Sequence, residues 1–222
     1  MKSQLSASIM CAAPLKMEQD LDILVQAGID YFHCDMMDGQ FVPNLMLSTE
    51  TIRAVKARYR IPLDIHLMVE EPEHVIPWLP LGEGDIVSVH YESTRHVDRA
   101  LQMIAEKGAV PALALNPATP LCCAENVLDR IGMLLVMTVN PGFAGQKMVP
   151  CGLDKIARAR KMLDDAGKND MPIQVDGNCS LENIPKMEAA VANIFVVGTS
   201  SVFSKVNGLE KGLAMTREVM KR

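Results

Sequence analysis

The chain has 222 residues, 49% of them hydrophobic and 22% charged, with a formal net charge of −5. That length accommodates one large α/β barrel, and we expect a single domain over residues 1–222. The acidic balance argues against a polyanion-binding surface, so nucleic acid is not an expected partner, and an anionic substrate would need a local device such as backbone N–H groups.

Along the chain, short apolar or β-branched runs alternate with longer amphipathic stretches about eight times, the pattern of repeated βα units around a parallel sheet. Strands are predicted near 4–10, 30–35, 62–67, 85–90, 109–114, 132–138, 172–176 and 193–197. Helical patterns run from Met17 to Ala27, Ser48 to Ala57, His96 to Lys107, Gly152 to Ala166 and Leu181 to Ala190. Ser48-Thr49-Glu50 and Glu71-Pro72-Glu73 look like helix starts, where first-turn N–H groups need an acceptor or no donor at all. The weakest helix is the one after the fifth strand, where Pro117 and Pro120 crowd its start. Eight strands and eight helices in this length leave only short loops, which suits a single (β/α)8 TIM barrel better than a doubly wound sheet.

No apolar run approaches the roughly 18 residues of a membrane helix. The N-terminal LSASIMC lacks a charged region and a long apolar core, and reads as a first strand rather than a signal. Cysteines at positions 11, 34, 122, 123, 151 and 179 show no C-x-x-C spacing, which reads as reduced thiols in a cytoplasmic setting.

Four stretches place polar residues just past predicted strands: HCDMMDG (33–39), DIHLMV (64–69), VMTVNPGFAGQ (136–146) and QVDGN (174–178). An α/β barrel builds its active site at that rim. Side chains two apart on a strand share a face, so His33 and Asp35 point inward together. His66 and Asp176 end their strands in the same way. A single histidine at a strand end is ordinarily a satisfied core or rim residue, but two imidazoles and two carboxylates converging on one mouth form a candidate site for one divalent ion. Zinc, manganese, cobalt or iron suit such mixed donors, and the residues do not choose among them.

A second device follows the sixth strand. Gly142, Phe143, Ala144 and Gly145 form a glycine-rich turn, and Gly177-Asn178 and Gly198-Thr199-Ser200 follow the next two strands. Glycine serves any tight βα loop, yet three such loops in succession match the usual phosphate site of this architecture. Of the sixteen methionines, Met10, Met37, Met68 and Met137 stand at or just beyond strand ends. The default role of methionine is to fill the core, and a ring of non-protic groups would also shield an oxygen-bearing intermediate from water.

In combination, HCDMMDGQFVPN, DIHLMVEEP, LNPATP and VMTVNPGFAGQ resemble the ribulose-phosphate 3-epimerase family, from Ser8 to about Phe203. Ala144 and the runs VDGNCS (175–180) and VGTSSVF (197–203) look more like its allulose-6-phosphate branch. Asn178 stands where the ribulose-5-phosphate enzymes usually carry a glycine, and a side chain there would narrow or re-aim the phosphate pocket.

The resemblance implies that His33, Asp35, His66 and Asp176 hold the metal, that Asp35 and Asp176 are the acid/base pair, and that Ser8 and His66 contact the sugar. It implies that residues 142–145, 177–178 and 198–200 bind the phosphate, that Asp38 and Asn44 cap the loop after the second strand, and that Ala13 replaces an acid often found there. The implied reaction is 3-epimerisation of a phosphorylated ketose by two-base proton transfer through an enediolate, D-allulose 6-phosphate to D-fructose 6-phosphate first. The alternative is D-ribulose 5-phosphate to D-xylulose 5-phosphate, in a protein expected to form homo-oligomers. A non-catalytic phosphosugar-binding barrel would be expected to have lost an acid or a ligand, and all four positions are intact. A decarboxylase or aldolase could share the barrel and phosphate loops, but a phosphate-loop decarboxylase would be expected to carry a lysine beside the strand-end aspartate, and none stands between Tyr31 and Gln40.

Overall fold

The computed structural model describes residues 2–204 and 206–220. Met1, Lys205, Lys221 and Arg222, which the expected domain includes, lie outside the described residues. Eight parallel strands close into a barrel: β1 (Gln4–Ser8), β2 (Tyr31–Asp38), β4 (Leu63–Met68), β5 (Ile86–His90), β6 (Val110–Leu115), β7 (Met133–Met137), β8 (Ile173–Asp176) and β9 (Ile194–Val197). Each pairs with the next and β9 closes on β1. A two-residue strand, β3 (Leu45–Met46), adds antiparallel to the end of β2, with Met37 opposite Met46. Pairing with β4 carries β2 past the predicted end at residue 35 as far as Met37, and β3 adds Asp38 opposite Leu45.

Around the barrel lie α1 (Met17–Gln26), α2 (Thr49–Arg58), α3 (Val97–Glu106), α4 (Gly152–Asp165), α5 (Ile184–Ala189) and α6 (Leu209–Val219). Ser48 caps α2, its hydroxyl accepting from Thr51 N, an arrangement that contributes about 1 kcal/mol. The expected eight α-helices are not formed among the described residues. Between β4 and β5 the chain makes only 3-10 turns at Pro72–His74 and Ile76–Trp78, because Pro72 and Pro77 remove donors and block α-helical turns. Glu71 adopts a left-handed conformation, φ 48°, instead of capping a helix. Between β6 and β7 the proline-crowded segment becomes a 3-10 helix over Leu121–Val127.

Strand residues alternate between two environments. The outward set, including Phe32, Ile65, Val87, Leu113, Val136, Val175 and Phe195, packs under Leu21, Leu24, Ile52, Leu101, Ile104, Ile156 and Leu213 of the helices. The inward set has an apolar floor of Ile86, Ala112, Met133 and Ile194, with Tyr31 and Val110 against it. Above the floor the interior turns polar. Asp64 accepts hydrogen bonds from Ser6 Oγ, His33 and Gln174 Nε2, on three other strands. The site stands on that cross-barrel layer. Among the described residues no helix is long and apolar enough to cross a membrane.

Candidate active site

Strand register assembles the four ligand candidates. In the parallel pairs, His33 stands beside Ser8 and Asp64, Asp35 beside His66, and Asp176 beside Met137. One donor atom from each of His33, Asp35, His66 and Asp176 lies within 4.8 Å of all the others. His33 Nε2 is 3.3 Å from Asp35 Oδ1, and His66 Nδ1 is 3.6 Å from Asp35 Oδ1 and 3.5 Å from Asp176 Oδ2. Both histidines are fully buried, whereas Asp35 and Asp176 line the open cleft above them.

The donor set fits a divalent cation on an observation independent of motif. His33 Nε2 and His66 Nδ1 are buried with no hydrogen-bond partner, although buried polar atoms ordinarily have one. Two unpartnered imidazole nitrogens and two carboxylates facing one point are nitrogen and oxygen donors suited to a first-row divalent ion.

The tautomer of His33 is set from below. Asp64 Oδ2 lies 2.6 Å from His33 Nδ1 and also accepts from Ser6 Oγ at 2.7 Å and Gln174 Nε2 at 2.5 Å. An ionised carboxylate only accepts, so His33 Nδ1 carries a hydrogen, and in the neutral ring Nε2 presents its lone pair upward. Burial favours neutral His33, but Asp64 and Asp35 outweigh it and hold the imidazole well above its ordinary pKa. Burial likewise opposes ionisation of Asp35, and the imidazoles of His33 and His66 override it, holding the carboxyl far below the usual range. Ser8 Oγ donates to Asp35 Oδ2 at 2.6 Å.

Asp64, Ser6 and Gln174 escape a reading confined to strand ends. The available signal was period two: each stands two residues before a rim residue, His66, Ser8 or Asp176, on the same inward face.

Ser8, the three glycine-rich segments and the four methionines line the same cleft. Met37 and Met68 are buried with Val42 and packed against Met10, while Met137 packs with Ala114 and Leu135. Gly177 has φ 119°, and a Cβ there would meet Val139 N at 2.8 Å, so no other residue fits without a shift. Asn178 follows with φ 49°, a left-handed conformation asparagine tolerates. Its amide donates to Gln146 O at 2.5 Å, and its side-chain oxygen accepts from Asn183 Nδ2 at 2.7 Å. The side chain ties two rim loops together. Asp38 accepts from Gln40 N, Phe41 N and Glu70 N, and Asn44 Nδ2 donates to Gly142 O. Asp38 thus caps the loop after β2, as the resemblance implied, and Asn44 ties that loop to the glycine-rich turn after β7.

With this geometry in place, comparison with known proteins assigns the chain to a family. Residues 4–203 match the model of the ribulose-phosphate 3 epimerase family. The chain belongs to that family. Membership in the ribulose-phosphate 3-epimerase family makes it an isomerase. It is 39% identical over 197 residues to the ribulose-phosphate 3-epimerase of Bacillus subtilis (strain 168), covering 89% of this chain and 91% of that protein. It is 38% identical over 208 residues to the ribulose-phosphate 3-epimerase of Escherichia coli (strain K12), covering 92% and 91%. These relatives give no specific support to the allulose branch. Among solved structures, KGPDC from Streptococcus mutans superposes with a TM-score of 0.67 at 12% identity, over 100% of this chain and 99% of that one. 3-Hexulose-6-phosphate synthase superposes with a TM-score of 0.63 at 15% identity, over 100% and 99%. At such identities these two share the fold alone.

Proposed function

We propose that this chain is a divalent-metal-dependent 3-epimerase of D-ribulose 5-phosphate and D-xylulose 5-phosphate. The observation that carries the reading is the convergence of Asp35 and Asp176 on one cleft, above two buried imidazoles with unpartnered nitrogens. A bound divalent ion there supplies electrostatic stabilisation for negative charge developing on the substrate's oxygens. The protein's own residues do the rest. Inversion at C3 requires removal of a proton from one face and delivery to the other, so one aspartate accepts while the other donates, and the roles exchange with direction. Asp35 comes from β2 and Asp176 from β8, which places them on separate walls of the cleft. Ser8, bonded to Asp35, holds that carboxylate's second oxygen in place. The segments 142–145, 177–178 and 198–200 hold the phosphate, and Met10, Met37, Met68 and Met137 keep water from the reacting carbon. A cytoplasmic setting, a single catalytic domain and self-association belong to the same proposal.

D-allulose 6-phosphate is the second reading, favoured by Ala144 and Asn178 in the cleft lining. Two facts move the weight to the five-carbon sugar: the relatives are named for ribulose phosphate, and the polar atoms of Asn178 are occupied by Gln146 and Asn183. Steady-state assays of metal-loaded protein on both sugars test the choice. A higher kcat/KM for D-ribulose 5-phosphate is expected; a higher value for D-allulose 6-phosphate would install the second reading, and turnover of neither would overturn the epimerase assignment.

A further inference from the structure

His66 has a second ring nitrogen, and its partner is another imidazole. His66 Nε2 lies 2.8 Å from His90 Nε2 at the end of β5. The ring planes differ by 26° with centroids 4.9 Å apart, the separation of two rings meeting edge to edge through that contact. One nitrogen must donate and the other accept, and the two rings alone do not decide which.

The next residue along the chain of contacts decides it. His90 Nδ1 is 3.2 Å from Glu92 Oε2, and Glu92 Oε1 accepts from Asn116 N at 2.9 Å and from the Thr119 hydroxyl. Burial opposes ionisation of Glu92, but His90, Thr119 and Asn116 outweigh it and bring the carboxyl down to about 2. An ionised carboxylate only accepts, so His90 carries its hydrogen on Nδ1 and offers the Nε2 lone pair. His66 then donates from Nε2, which in the neutral ring leaves Nδ1 bare. Nδ1 is the atom that faces Asp35 and Asp176 without a hydrogen-bond partner.

We infer that Glu92 and His90 are positioning residues that fix the tautomer of His66 and aim its Nδ1 lone pair at the metal. The inference rests on the metal-site reading above and extends it. The two metal-facing imidazoles are thereby oriented in parallel ways, His33 by Asp64 directly and His66 by Glu92 through an intervening ring. Phe41 packs on His90, with ring centroids 4.8 Å apart. Lys155 of α4 braces the far end, its ammonium donating to Asn116 O at 2.5 Å and Thr119 O at 2.8 Å, on the loop whose backbone and hydroxyl hold Glu92.

The test pairs His90→Phe, which removes the acceptor, with His90→Gln, whose side-chain oxygen restores one. Orienting partners of metal ligands typically carry 10- to 100-fold in affinity, so H90F is expected to bind zinc about 10- to 100-fold more weakly by competition titration, with H90Q recovering most of the loss. The visible spectrum of cobalt-loaded H90F should shift while that of H90Q stays near the parent's, and long-range 1H–15N spectra of the zinc-loaded parent should show His66 protonated on Nε2. If H90F does not fold, E92Q takes its place, since a carboxamide cannot accept from His90 and Asn116 at once. Tight, unshifted binding by H90F, or His66 protonated on Nδ1 in the zinc-loaded parent, would overturn the inference alone. A parent that binds no zinc would overturn the metal reading with it.

Discussion

Asp64 accepts a 2.6 Å hydrogen bond from His33 Nδ1, both residues fully buried, one layer below the nitrogen that faces the cleft. The pair is one corner of a cross-barrel network in which Ser6 and Gln174 also donate to Asp64. Removing the carboxylate strands three donors in a dry interior, and breaking a buried pair by deleting one partner typically costs about 3–5 kcal/mol. Asp64→Ala is therefore expected to lose stability on that scale by urea unfolding, and Asp64→Asn to retain more of it. Both are expected to bind zinc at least tenfold more weakly. An alanine variant as stable and as tight-binding as the parent would remove Asp64 from the site.

For the proposed acid/base pair, Asp35→Asn and Asp176→Asn are each expected to lower kcat by about 10²–10⁴, the usual range for general acid–base catalysis. Circular dichroism should show the fold unchanged. Asp176 stands partly open to the cleft while Asp35 is buried, so Asp35→Asn is expected to be the more destabilising of the two. Retention of more than a tenth of parental turnover in either variant would contradict the two-base scheme.

The rim separates two adjacent positions. Gly177→Ala places a Cβ against Val139 N at φ 119°, and backbone strain of this kind costs about 1–3 kcal/mol, so its melting temperature should fall and KM should rise. Asn178→Gly keeps the left-handed backbone but releases Gln146 O and Asn183. Its stability should move by no more than about 1 kcal/mol, with a higher KM for both sugars and an unchanged preference between them. A switched preference in that variant would assign carbon-chain selection to Asn178.

Much of this site was legible because period two and strand ends are visible in a bare sequence. His33, Asp35, His66 and Asp176 each follow or end an apolar run, and the structure brings all four to one mouth. What was not legible depends on neighbours distant in the chain. Nothing local marks Asp64 as the partner of His33, or Glu92 as the group that orients a residue on another strand. Pro72 and Pro77 were visible, yet reading Glu71-Pro72-Glu73 as a helix start overlooked the second proline, and the segment formed 3-10 turns. The extension of β2 past residue 35 depends on its pairing with β4 as far as Met37 and with β3 at Asp38, contacts no propensity scale contains.

Metal binding should be linked to pH through His33. In the metal-free protein Asp64 and Asp35 overcome burial and raise the imidazole above its ordinary value of 6.5. The stability this contributes is fully present below about 6.5 and is lost as pH rises through the folded value. A ligating Nε2 must give up its proton, so the sign reverses for the metal. Zinc affinity is expected to weaken as pH falls below the folded pKa, about tenfold per unit for the His33 proton alone, with at least one proton released on binding. Calorimetry in buffers of different ionisation enthalpy measures that proton, and binding without proton release would contradict the assignment of His33.

Isotope exchange at C3 tests the proposed chemistry most directly. Metal-loaded protein is given D-ribulose 5-phosphate in deuterium oxide, and the D-xylulose 5-phosphate formed is examined by proton NMR during the first turnovers. With Asp35 and Asp176 on separate faces, the proton removed and the one delivered are different, so the product should carry deuterium at C3 from the outset, and chelation of the metal should abolish both exchange and epimerisation. Product that keeps the substrate's own hydrogen at C3 would contradict the two-base reading.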